Sequence, residues 1–290
     1  MPLNSILRAT RPKQWVKNLL VLAAPVAAGT VFEPHVLIRS LIALVAFILV
    51  SAGIYLTNDI FDLESDRLHP VKSKRPIASG ELSAKAAGIA AALLLAAGIG
   101  VSAAADRPLV AVVGTYTVLM LAYSGRLKHE PVLDIAIVAI GFVLRSVAGG
   151  VASHLFISHY FLLVSGFGSL FVVAGKRYSE LKRHAGEEVP TRRALASYST
   201  GFLNFVRSVA GGVTIITYCL WAFERAATAG DGGLFIELSI VPFVIAILRY
   251  GLLIENELAE APEDLIFQDN PLIALGVLWS VSLAIAIFAI

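Results

Sequence analysis

The 290-residue chain is 57% hydrophobic and only 15% charged, with a net charge of +2. Soluble domains carry about 25% charged residues, so an ordinary water-soluble globular domain is excluded and the composition points into the bilayer. The single cysteine, Cys219, excludes a disulfide framework within the chain.

Crossing the hydrocarbon takes about 20 mostly apolar residues. By that measure the sequence predicts nine helices, at about 16–32, 37–57, 84–104, 108–124, 132–152, 159–175, 204–223, 233–253 and 271–289. The expected architecture is all-α, a polytopic membrane protein forming one integral-membrane domain over 1–290. Pro25 and Gly29 interrupt the first helix. No cleavable signal peptide is expected, because Arg11, Lys13 and Lys17 fall where its apolar core would lie. Basic residues recur on one side: Arg8, Arg11, Lys13 and Lys17 before helix 1, and Arg67, Lys72, Lys74 and Arg75 after helix 2. Arg126 and Lys128 follow helix 4, and Lys176, Arg177, Lys182, Arg183, Arg192 and Arg193 follow helix 6. The opposite loops offer mainly Arg39, Arg107 and Arg225. The positive-inside rule therefore puts the N-terminus in the cytoplasm and, with nine spans, the C-terminus outside.

Helix 2 runs into "NDIFDLESDRLHPVKSKRPIASG", Asn58–Gly80. If the helix continues, Asn58 and Asp62 are four residues apart, Asp59 and Asp62 three, and Asp62 and Asp66 four, which stacks their oxygens on one face. Clustered carboxylates repel and take up protons unless a cation intervenes. Mg²⁺ suits such a site when one or two carboxylates bind it and phosphate oxygens complete the shell. The bases that follow supply charge for the anion the metal carries. A solvated helix cap is the plainer explanation, but acids at a helix C-terminus oppose the macrodipole.

Farther along, Asp134 and Arg145 are 11 residues apart in helix 5, about three turns, which puts them on one face about 16 Å apart in depth. Ionisable groups at such depth face the bundle interior or a wet cavity. "RSVAGGV" occurs at Arg145–Val151 and again at Arg207–Val213, which reads as two small-residue surfaces for close helix approach. His69 and His129 are expected as loop residues, and Asp269-Asn270-Pro271 as the N-cap of helix 9.

Asn58-Asp59-x-x-Asp62-x-x-x-Asp66 resembles the first Asp-rich motif of the UbiA superfamily of intramembrane prenyltransferases, as do "RPKQWVKN" (Arg11–Asn18) and Tyr123-Ser124 with Lys128. The resemblance implies nine transmembrane helices around a central cavity, with Mg²⁺ joining the carboxylates to a diphosphate. Where that superfamily has a second Asp-rich motif, this chain has "GKRYSELKRH", Gly175–His184, with Glu180 its one acid. That stretch favours an anion over a second metal. Together with "YSGRLKHEPVLDI", these segments are similar to the branch of decaprenyl-phosphate phosphoribosyltransferases.

That likeness implies 5-phosphoribosyl 1-diphosphate (PRPP) as donor, a polyprenyl phosphate as acceptor, and a product destined for cell-wall arabinan. It implies Mg²⁺ on Asn58, Asp59, Asp62 and Asp66, with Asp59, Asp62 and Asp134 serving catalysis. Lys17, Tyr123 and Lys128 are assigned to the diphosphate, and Lys72, Lys74 and Arg75 to the ribose 5-phosphate. Lys176, Arg177 and Tyr178 are assigned to the lipid phosphate, and Arg145 to the substrate cavity. The site is expected to face the cytoplasm from the cell membrane, without nucleic acid, and a homo-oligomer is compatible with the sequence. Two other readings stay open: a conventional prenyltransferase acting on an aromatic, quinone or haem precursor, and a lipid or solute transporter.

Overall fold

The computed structural model describes residues 2–183, 193–256 and 268–286, and among them the chain is helical with no strand. Contacts divide it into two compact units, one of residues 1–137 and 141–157 and the other of 138–140 and 158–290.

The first unit begins with α1 (Pro2–Ala9), a 3-10 segment (Pro12–Leu22) and α2 (Ala23–Ala27). These are followed by α3 (Pro34–Phe61) and α4 (Leu63–Leu68), a 3-10 turn (Lys72–Lys74), α5 (Ala84–Ala103) and α6 (Arg107–Gly125). A 3-10 turn (Leu127–His129) then leads to α7 (Leu133–Ala152). Local chemistry sets the starts. Pro34 opens α3, where its missing N–H costs nothing. Ser83 caps α5 by accepting from Ala86 N, and Asp106 caps α6 by accepting from Leu109 N.

The long α3 is the spine of this unit. Phe47 stacks obliquely on Tyr116 of α6, ring centroids 5.0 Å apart, within a core that includes Val50, Ile54, Val113 and Ile137. Against α5 the approach is set by glycine: a Cβ on Gly98 would meet Val50 Cγ2 at 2.5 Å, and one on Gly53 would meet Leu95 Cγ at 2.8 Å. Such small-residue contacts replace the missing hydrophobic drive between helices in lipid.

The second unit contains α8 (His159–Arg183), α9 (Arg193–Ala196), α10 (Thr200–Ala226), a 3-10 turn (Gly230–Gly232), α11 (Gly233–Leu238), α12 (Ile240–Glu255) and α13 (Asn270–Ala284). Tyr218 of α10 anchors it. Its ring stacks on Phe243 at 3.9 Å, its hydroxyl is 2.7 Å from Ser239 Oγ, and Trp279 Nε1 donates to that hydroxyl at 2.6 Å. Asp269 caps α13 as the sequence predicts, accepting from Leu272 N, and also binds Arg249.

Among the described residues seven helices are long and apolar enough to cross a membrane: α3, α5, α6, α7, α8, α10 and the stretch Gly230–Glu255. The first predicted span is corrected. Residues 16–32 form no continuous α-helix but the end of the 3-10 segment and then α2. Pro25 cannot donate a helical hydrogen bond, and Gly29 ends the run at φ 72°. α13, at 15 residues, is shorter than the other spans. Residues 184–192 of the basic loop, and 287–289 of the predicted last helix, lie outside the described residues. The repeated "RSVAGGV" also divides. In the first copy Gly149 and Gly150 pack on Val21 and Ala24, whereas in the second Gly211 meets Phe171 and Gly212 has nothing within 4 Å.

Candidate functional site

The end of α3 carries the predicted acids, and each of them meets a base. Asp59 is 2% exposed and takes both Arg11 Nη2 and Arg75 Nη1 on its Oδ1, the latter at 3.1 Å. Arg75 Nη1 also lies 2.5 Å from Asp66 Oδ2. Lys128 Nζ lies 2.5 Å from Asp62 Oδ1, while Asn58 Nδ2 donates to Asp62 Oδ2 at 3.0 Å. Three carboxylates therefore face three cations. The i,i+4 relation of Asn58 and Asp62 is as expected. The helix, however, breaks at Asp62, which ends α3 and begins α4, and Asp66 turns to Arg75.

Among the described residues no three His, Cys, Asp or Glu side chains converge to hold a metal ion. The donor chemistry still fits Mg²⁺, because Asp59 and Asp62, with the amide oxygen of Asn58, supply hard oxygens. One or two carboxylates suffice once phosphate joins the shell. Arg11, Arg75 and Lys128 hold those carboxylates as they stand.

Two segments that bring side chains here bend against their own preference. Arg11 adopts φ 55° and Val132 φ 68°. Left-handed or related conformations at non-glycine residues cost about 1–3 kcal/mol and persist where surrounding structure over-determines them. Arg11 links α1 to the 3-10 segment and turns its guanidinium to Asp59 and over the Tyr55 ring. Val132 precedes α7, whose first turn carries the fully buried Asp134. Tyr123 Oη donates to Asp134 Oδ1 at 2.8 Å.

Two turns earlier on α6, Tyr116 meets Arg145, and the antiparallel run of α6 against α7 makes both pairs at once. Arg145 is buried and donates through Nε to Asn18 Oδ1 at 3.0 Å, through Nη2 to Tyr116 Oη and Ser51 Oγ, and through Nη1 to Gly141 O. It also lies over the rings of Tyr116 and Phe142. The structure thus gives Arg145 a network of neutral partners in the unit's interior.

Of the remaining predicted residues in this unit, Lys17 and Lys72 are half-buried and Lys74 is exposed on its 3-10 turn. His69 is a loop residue as expected; its Nδ1 accepts from the N–H groups of Val71 and Lys72. In the second unit, Arg177 is buried and pairs with Glu180 at 2.8 Å, and Lys176 is half-buried. Tyr178 is buried and donates to Glu255 Oε1 at 2.6 Å.

Sequence reasoning missed Arg11, Asn18 and Glu255. Arg11 and Asn18 bound the quoted "RPKQWVKN", so the motif held the signal for both. Glu255 ends an apolar helix, and nothing in its neighbourhood marks it.

The UbiA prenyltransferase family model matches residues 19–268. The chain belongs to the UbiA prenyltransferase family. Its solved likenesses agree in fold. A UbiA homolog from Archaeoglobus fulgidus bound to DMAPP and Mg²⁺ has a TM-score of 0.75 at 20% identity, covering 98% of each chain. The same homolog bound to GPP and Mg²⁺ scores 0.73 at 19% identity, covering 99% of this chain and 100% of that one. Among UbiA relatives, a decaprenyl-phosphate phosphoribosyltransferase of Corynebacterium glutamicum is 42% identical over 289 residues, 98% of this chain and 87% of that protein. Its namesake in Mycolicibacterium smegmatis is 40% identical over 98% of this chain and 93% of that protein. The namesake in Mycobacterium tuberculosis H37Rv is 40% identical over 97% and 94% respectively.

Proposed function

We propose that this protein transfers 5-phosphoribosyl from PRPP to a polyprenyl phosphate, releasing diphosphate. The observation that carries the reading is the pairing at the end of α3, where Asp59, Asp62 and Asp66 meet Arg11, Arg75 and Lys128. A bare acidic site would suit a metal alone. A site that already neutralises its acids gains net positive charge when a divalent ion enters, and so draws a diphosphate. The full-length likeness to phosphoribosyltransferases supports the choice of donor and acceptor.

Asp59 and Asp62, with Asn58, would hold Mg²⁺, and Asp66 would keep Arg75 in place. Bound there, Mg²⁺ would supply positive charge against the leaving diphosphate. Lys17 and Lys128 donate to the diphosphate, and Lys72, Lys74 and Arg75 to the ribose 5-phosphate, while Tyr123 gives its one hydroxyl proton to Asp134. Asp134, oriented by Tyr123, faces the ribose hydroxyls. Arg145 holds Asn18 and Tyr116 as the cavity wall. Lys176, Arg177 and Tyr178 serve the lipid phosphate. A lipid phosphate oxygen bonds to the anomeric carbon as the bond to diphosphate breaks, with inversion. That oxygen is already anionic near neutral pH, so positioning and charge stabilisation replace a general base. We place the protein in the cell membrane, N-terminus and site facing the cytoplasm, where PRPP is made.

The deciding experiment incubates purified protein with PRPP, Mg²⁺ and a polyprenyl phosphate and follows diphosphate release and the phosphoribosylated lipid. EDTA is expected to stop both and added Mg²⁺ to restore them. Diphosphate released from a prenyl diphosphate but not from PRPP would overturn the reading in favour of ordinary prenyl transfer.

A further inference from the structure

In the second unit a separate group of charges gathers on Glu255, the last residue of α12. Its Oε1 accepts from Tyr178 Oη at 2.6 Å and from Lys182 Nζ at 3.3 Å, and its Oε2 faces Arg207 Nη1 at 3.5 Å. Lys182 Nζ also reaches the Glu255 backbone oxygen at 3.2 Å. The Arg207 guanidinium lies over the Tyr178 ring at 4.5 Å and Lys182 over the same ring at 5.1 Å. Two cations and a phenol thus converge on one half-exposed carboxylate from α8 and α10.

Arg207 is underused in this arrangement. Its Nη1 bonds to Asn204 Oδ1 at 3.0 Å, and its contact with Glu255 is long. Its Nε is buried with no partner among the described residues. Guanidinium normally presents Nε and Nη as a fork to an oxyanion. A flat carboxylate with both oxygens already shared cannot reach Nε. A phosphate monoester can, because its three terminal oxygens have room for Nε, the Lys182 ammonium and the Tyr178 hydroxyl together.

We propose that Arg207, Lys182 and Tyr178 form the seat of the acceptor lipid's phosphate monoester, and that Glu255 fills this seat as a carboxylate stand-in that the phosphate displaces. This rests on the proposed phosphoribosyl transfer and adds two residues, Arg207 and Lys182, that the sequence reading left unassigned. It also gives the second copy of "RSVAGGV" a role through its arginine, which differs from that of Arg145.

The test uses the full-length protein in detergent and reads thermal stabilisation by a polyprenyl phosphate, by the corresponding polyprenol and by inorganic phosphate. The polyprenyl phosphate is expected to stabilise the wild type more than either of the others. Arg207→Ala and Lys182→Ala should lose that difference, and Arg207→Lys should keep part of it. Glu255→Gln keeps the shape and removes the competing charge, so it should bind the lipid phosphate more tightly. In turnover, Arg207→Ala should raise the KM for the lipid roughly 10- to 150-fold, the cost of one charge-assisted contact, and leave the KM for PRPP unchanged. A rise for PRPP alone, weaker lipid binding by Glu255→Gln, or equal stabilisation by inorganic phosphate would overturn the proposal. Failure of the wild type to consume PRPP would instead overturn the transfer reaction, and the stabilisation series would still decide whether the seat exists.

Discussion

Lys128 Nζ lies 2.5 Å from Asp62 Oδ1, joining the turn after α6 to the end of α3. The lysine side chain is 9% exposed and the aspartate 28%, so the two do not lose equally when parted. Asp62→Ala leaves a buried ammonium without its carboxylate, whereas Lys128→Ala leaves a better-hydrated carboxylate still bonded to Asn58. Hydrogen bonds to charged groups contribute about 1.5–3 kcal/mol. Asp62→Ala is expected near the upper end and Lys128→Ala near the lower, measured by unfolding in mixed micelles. Combining Asp62→Asn with Lys128→Met should recover most of the loss. Equal losses in the two single variants would show that burial does not set the order.

Arg75 makes a sharper case, because one nitrogen serves two acids. Arg75→Ala strands Asp66, almost fully buried, and leaves the equally buried Asp59 with Arg11 alone. Removing one partner of a buried ion pair costs about 3–5 kcal/mol, and the partly exposed Arg75 points to the lower figure. Adding Asp66→Asn to Arg75→Ala removes that stranded charge, so the double variant should be more stable than Arg75→Ala alone. A double variant less stable than the single one would mean that Asp66 is held by something other than Arg75.

The helices and the Asn58–Asp62 pair were legible because each depends on local spacing. The apolar runs fixed α3, α5, α6 and α7 to within a few residues, and Asn58 with Asp62 followed from one turn of helix. Tyr123 and Asp134 were each singled out, and the fold brings them together. The partners of Asp59 and Arg145 were not legible. Arg11 is 48 residues from Asp59 and Asn18 is 127 from Arg145, separations over which periodicity says nothing. The first span failed for a different reason. Its apolar residues satisfy a hydropathy window, but Pro25 and Gly29 withhold the hydrogen bonds and dihedrals that a long helix needs.

The contact between α3 and α5 yields a test with an internal control. A Cβ on Gly98 would sit 2.5 Å from Val50 Cγ2 and 2.9 Å from Ala46 O, whereas one on Gly100 would meet nothing within 4 Å. Overpacking typically costs about 1–3 kcal/mol. Gly98→Ala is therefore expected to lower stability by that amount. Gly100→Ala, on the same helix, should be neutral or slightly stabilising. Similar losses in both would assign the effect to helix flexibility rather than to contact with α3.

Glu81 ties the N-terminal helix to the loop that carries Arg75. Ser5 Oγ donates to Glu81 Oε1 at 2.6 Å, and Arg8 Nη1 reaches both oxygens at 3.0 Å. Beside them Ala9 packs with Leu56, Ile77 and Leu82. Arg11 follows directly from α1, so this latch helps decide where its guanidinium meets Asp59. The Ser5 hydrogen bond, and after it the Arg8 guanidinium, hold the Glu81 carboxyl below the ordinary glutamate range. A depressed folded pKa means a stabilising contribution that is present above the unfolded value, about 4.3 for glutamate. That contribution is lost as pH falls through the lower folded value. Wild type should therefore melt above Glu81→Gln by a constant margin at neutral and mildly acidic pH. The margin should close as pH drops below the ordinary glutamate pKa. The latch is solvent-exposed, so the margin is small and is read as the difference between the two proteins in matched buffers. A margin that persists unchanged to the lowest pH at which both remain folded would mean that the protonated carboxyl holds Ser5 as well as the charged one, and the charge of Glu81 would have no part in fixing α1.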